Sequence, residues 1–189
     1  MQSRMSAIVA SKKELIELTL KAAVIYDDFD FAARTAALLE RAAIRTDEAM
    51  KWDVKPWRLD LLKPSSLAAA ALEETMDADL IVVALCKTHL LPGALLEWLE
   101  EWGAHRQIGD AALLVRCPEE SAGPISSWNR LKEFAVWRGL LFLGSHYFQN
   151  DVDSTDFVHR LWRRKLPVVP ASPWPADPAP APRHWGINE

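Results

Sequence analysis

The chain has 189 residues, with 22 basic against 26 acidic side chains, a formal net charge of −4, and half of its residues hydrophobic. That suits one ordinary domain with appendages, and it excludes wholesale disorder, a collagen-like repeat and a disulfide-stapled miniprotein. The mild acidity supplies no overall cationic field for a phosphate backbone, and no apolar run approaches the roughly 18–20 residues that cross a bilayer, so nucleic acid and membrane are disfavoured as partners and a cytoplasmic location is expected.

Residues 1–19 read as a short helical lead-in. The first strand runs from Leu20 to Tyr26, an almost continuous apolar stretch of the kind covered by helices on both faces, and it stops at Asp27-Asp28. A helix follows with Asp30 as its expected N-cap and with Phe31, Thr35, Leu38, Leu39 and Ala42 on one face. Lys51 to Leu62 is a second strand, which Pro56 places at a sheet edge or at a bulge. Ser65-Ser66 caps an Ala-rich helix reaching Met76, and Asp79 to Leu85 is the third strand. Pro92-Gly93 opens a helix whose stripe is Leu95, Trp98, Leu99 and Trp102, and Ala111 to Val115 is the fourth strand. Ser126 or Ser127 caps a helix carrying Trp128, Leu131, Phe134, Ala135 and Trp137, and Gly139 ends it. Leu140 to Leu143 is the fifth strand, and Ser154 or Thr155 caps a last helix, DFVHRLWRRK.

Five strands alternating with five helices predict an α/β fold, a doubly wound (βα)5 parallel sheet of flavodoxin-like order 2-1-3-4-5. The domain covers residues 20–166. Beyond it, residues 167–189 form a Pro-rich tail that ends in RHWGINE, because Pro167 to Pro182 holds seven of the twelve prolines. The two cysteines, Cys86 and Cys117, are too few for a disulfide framework and are expected as buried, reduced thiols.

Val24-Ile25-Tyr26-Asp27-Asp28, the helix FAARTAALLERA, the strand Asp79-Leu80-Ile81-Val82-Val83-Ala84 and the turn Leu91-Pro92-Gly93 together resemble the receiver domains of bacterial response regulators over roughly residues 21–165. The resemblance implies an acceptor carboxylate ending the third strand, an acidic pair ending the first to help hold Mg²⁺, a hydroxyl ending the fourth and a lysine ending the fifth. Here Ala84 stands at the acceptor position, Arg116 or Cys117 at the hydroxyl and Ser145 at the lysine. The chain therefore resembles a degenerate, or pseudo-, receiver. Asp27 and Asp28 are left as a weak Mg²⁺ site at best, since two carboxylates leave the ion mostly to water.

Other chemistries are poorly supplied. Cys86-Lys87-Thr88-His89 has a zinc-like gap without a second close pair, Ser145-His146 lacks a G-x-S-x-G elbow, and no glycine-rich phosphate loop occurs. The run His159 to Lys165 carries four formal positives, which a helix C-terminus accommodates without further function. Nine tryptophans are many for this length. Trp98, Trp102, Trp128 and Trp137 are expected to fill the helix–sheet layers, whereas Trp174 and Trp185 lie in a tail that cannot form a core and either dock on something or stand in water, with docking the favoured reading. By the resemblance, the partner face draws on Trp128 to Trp137 and on Phe157 to Lys165, Trp162 included.

The expectation is a non-enzymatic, receiver-like signalling or adaptor module without a cofactor, independent of phosphorylation, acting on a protein partner or a second copy, with the tail as docking peptide. The alternative is a small-ligand or Mg²⁺-binding domain, enzymatic or not, that uses the acidic pocket at Asp27 and Asp28.

Overall fold

The computed structural model describes residues 18–47, 50–63, 66–87, 91–118 and 125–144, together with 156, 158–161 and 163. Ser145, Trp162, Trp174 and Trp185, the tail and the lead-in to residue 17 lie outside the described residues. Strands β1 (Leu18–Tyr26), β2 (Met50–Arg58), β3 (Leu80–Ala84), β4 (Ala112–Arg116) and β5 (Leu141–Leu143) form one sheet in the order β2-β1-β3-β4-β5. Every neighbouring pair is parallel. The helices are α1 (Phe29–Thr46), α2 (Ser66–Thr75), α3 (Gly93–His105) and α4 (Ile125–Trp137). The flavodoxin-like, doubly wound topology expected from the alternation is the topology observed.

Strand periodicity of two sends alternate residues to opposite layers, so a strand covered on both faces must be apolar at every position. That holds for β3, whose five residues are fully buried, and for Ala22 to Ile25 of β1. On one face Leu20, Val24, Val82 and Leu114 pack with Phe31, Leu39 and Ala42 of α1 and with Val158 and Leu161, which are helical. On the other, Ile25, Val83 and Val115 pack with Leu95, Leu99 and Trp102 of α3 and with Leu131 and Phe134 of α4. The large α3 indoles also join helix to helix: Trp98 Nε1 donates to the Ala68 carbonyl at 3.2 Å and Trp102 Nε1 to the Thr75 carbonyl at 2.9 Å. Pro56 lies on β2, at the sheet edge, and is exposed.

Several boundaries differ from the sequence reading. The α1 N-cap is Asp28, not Asp30, because the Asp28 carboxylate accepts from the Phe31 amide at 2.9 Å. Strand β2 ends at Arg58, and Leu59–Leu62 closes into a 3₁₀ turn that buries Leu62. Helix α4 begins at Ile125, so Ser126 and Ser127 lie inside it and neither precedes it. The buried face of α1 is centred on Ala32, Thr35, Leu39 and Ala43, which leaves Leu38 half-buried at its rim. Neither cysteine forms a disulfide, and both are half-buried. Gly139 does end α4, in the left-handed region at φ +67°.

Candidate functional site

In an open parallel sheet the carboxyl ends of the strands form the ligand edge, and the order reverses between β1 and β3. One register row crosses that edge: Arg58 pairs with Tyr26, Tyr26 with Ala84 and Ala84 with Arg116. Ala84, at the receiver's acceptor position, is wholly buried and carries no nucleophile. Arg116 is half-buried at the end of β4. Asp27 and Asp28 follow Tyr26 directly and have separate tasks. Asp27 accepts from the backbone amides of Cys86 and Lys87 at 2.7 and 2.9 Å, tying the end of β1 to the loop after β3. Asp28 caps α1 and holds the Lys87 ammonium at 2.8 Å.

Lys87 and the Phe31 amide hold the Asp28 carboxyl below its ordinary pKa, and Asp28 in turn raises that of Lys87. The pair is thus an ion pair across the whole neutral range. Among the described residues no group of three His, Cys, Asp or Glu side chains could hold a metal ion. A cation entering between Asp27 and Asp28 would have to displace the Lys87 ammonium and compete for carboxylate oxygens that already accept amide protons. Sequence reasoning noticed Lys87 only as part of a zinc-like gap. Its signal as a counter-charge was its place just past the third strand, opposite an acidic pair ending the first.

Tyr26 meets the exposed Phe29 edge-on at 6.4 Å. A groove of about 410 Å³ opens beside them, lined by Tyr26, Asp27, Arg58, Lys63 and Pro92 among others. On the α4 side Trp128 is half-buried against the second layer, as expected of a core indole, but Trp137 is 74% exposed. Val136 beside it is 70% exposed, and the Arg138 guanidinium lies over the Trp137 ring at 4.4 Å. An open groove of about 480 Å³ runs along Asn129, Lys132, Glu133, Val136 and Trp137.

No family model and no curated protein matches this chain in sequence. Among solved structures it is similar to a flavodoxin-like domain from Synechococcus, with 18% identity, 76% of this chain and 99% of that one covered, and a TM-score of 0.47. It is similar to a flavo di-iron protein from Thermotoga maritima at 13% identity and a TM-score of 0.45, covering 78% of this chain and 36% of that one. A third is FerB, a flavoenzyme NAD(P)H:(acceptor) oxidoreductase from Paracoccus denitrificans, with 13% identity, a TM-score of 0.40 and coverage of 66% and 75%. At these identities the likeness is one of fold. It also corrects two expectations: neighbours of this fold include flavoenzymes, so the sequence-based exclusions of enzyme activity and of a cofactor are withdrawn.

A flavin mononucleotide in this topology sits at the β1/β3 switch point, with helix N-termini as the usual seat for its phosphate. Here the first turn of α1 presents the Asp28 carboxylate, already bound to the Phe31 amide, and the β1–α1 loop has no glycine. These residues do not fit a phosphate at that end of α1, so a flavin held by this chain would need a different anion seat. No helix among the described residues is long and apolar enough to cross a membrane.

Proposed function

We propose that the chain is a receiver-like interaction module that acts through protein contact, independently of phosphorylation, with the α4 groove as its docking surface and a proline-rich peptide as the occupant. The exposed Val136–Trp137 pair carries this reading. An indole 74% exposed beside a valine 70% exposed contrasts with Trp98 and Trp102, which are 3% and 0% exposed on the neighbouring helix. Exposed apolar residues next to each other, on a helix whose other exposed residues among those described are Asn129, Arg130, Lys132 and Glu133, suit an interface, and aromatic-lined grooves suit polyproline ligands, whose extended form is already set before binding. The Arg138 guanidinium over the ring favours one orientation of it, which lowers the side-chain freedom lost on docking. Independence from phosphorylation is supported by Ala84, which has no group to phosphorylate.

The occupant is the Pro167 to Pro182 segment of this chain, from the same or a second copy. Its 16 residues hold seven prolines and Trp174, and at ~3.1 Å per residue an extended segment reaches ~50 Å, beyond the width of one domain of this size. The test replaces Trp137 by the photo-reactive p-benzoylphenylalanine in the full chain, irradiates it and maps the cross-links by mass spectrometry. Cross-links into residues 167–189 are expected, within one chain or between two chains according to the mass of the product. A map without tail peptides overturns the proposal.

A further inference from the structure

Two arginines meet on the α1 side of the ligand edge and a third follows further along the helix, away from the α4 groove and sharing none of its residues. Arg116 reaches from the end of β4 to donate from Nη1 to Thr35 Oγ1 at 2.6 Å, and its guanidinium lies 4.8 Å from the centre of the Phe31 ring. Arg34 lies over the same ring at 5.6 Å. Arg41, seven residues and two turns further along α1, falls on the same helix face as Arg34. Thr35 cannot offset this charge. Its hydroxyl accepts from Arg116, donates to the Phe31 carbonyl at 2.7 Å, and is neutral. Among the described residues, none of the three arginines has a carboxylate within ion-pair distance, a trait they share with Arg106 and Arg138, whereas Lys21, Lys55, Arg58, Lys87 and Arg160 each have one.

Part burial of a guanidinium costs desolvation energy that a bound anion offsets. Arg116 instead has further cations as its charged surroundings: burial first, then Arg34 and Arg41, push its pKa below the usual arginine value. The planar fork of arginine matches the paired oxygens of phosphate and carboxylate, and the shared Phe31 ring orients two such forks.

We propose that Arg34 and Arg116, with Arg41 further along the same face of α1, form a seat for an oxyanion, a phosphate or carboxylate group of a small molecule, between α1 and the end of β4. Arg34 also acts on the Asp28 carboxyl, so the seat borders the acidic pair, whose Asp28 is already held by Lys87.

The test follows thermal unfolding of the full chain in inorganic phosphate, citrate or chloride at equal ionic strength. A ligand that binds only the folded state raises the melting temperature. A saturable rise in phosphate or citrate over chloride is expected, with at least a tenfold loss of apparent affinity in Arg116→Gln and in Arg34→Gln. A response to phosphate alone identifies phosphate chemistry, to citrate alone carboxylate chemistry, and to both the shared oxyanion. Equal melting in the three salts, or a rise that persists in the variants as general salt stabilisation does, overturns the proposal. Should Arg116→Gln fail to fold, Arg34→Gln and Arg41→Gln decide, since both side chains are exposed.

Discussion

Asp27 and Asp28 are adjacent and chemically identical, yet the fold uses one as a clamp between loops and the other as a helix cap with a cation of its own. The Asp28–Lys87 pair defines a pH window. A carboxyl held below its ordinary pKa contributes stability at every pH above its unfolded-state value of about 3.9, and the contribution is lost as pH falls through the lower folded value. A lysine raised above about 10.4 contributes below that value and loses it as pH rises through the higher folded one. Asp28→Asn is therefore expected to melt below the wild type at neutral pH, with the two melting temperatures converging in strong acid. A difference that stays constant down to pH 2 would count against this assignment. The sequence showed the acidic pair, but not its division of labour, because capping and clamping depend on where Phe31, Cys86 and Lys87 arrive in space.

Whole elements were the most legible part of the sequence. Uninterrupted apolar runs identify β1 and β3 as central strands, since only a doubly covered strand can be apolar on both faces. Pro56 correctly placed β2 at the edge, where a missing amide is tolerated. Element ends were less legible, because serine and aspartate can cap from several neighbouring positions: Asp28 does so in place of Asp30, and α4 starts ahead of both candidate serines. The outward-facing Trp137 was missed although it was legible: nine residues from Trp128 is about two and a half turns, which puts the two indoles on opposite faces of α4. Gly139 is a sharper case. Its φ of +67° lies where a Cβ meets the following carbonyl, although nothing stands within 4 Å to clash with the side chain itself. Gly139→Ala should cost about 1–2 kcal/mol of unfolding free energy through backbone strain alone, measurable by urea denaturation. No loss would mean that the α4–β5 turn relaxes to another conformation.

At the level of the molecule, one sheet serves two hydrophobic layers, so neither layer can melt while the other keeps its packing partner. Leu39→Ala in the α1 layer and Leu99→Ala in the α3 layer, both at 0% exposure, should each cost about 2–5 kcal/mol and leave a single cooperative transition. Two separate transitions in either variant would show the layers to be independent. The order of the sheet has one more effect. Among the described residues its two rims are β2, which carries Lys51, Asp53, Lys55 and Pro56, and β5, which is three residues long. Charges, a proline and brevity are the means by which proteins stop a foreign strand from adding to an open sheet. Edges guarded in this way disfavour edge-to-edge polymerisation, so an exposed indole on a helix meets no open strand beside it.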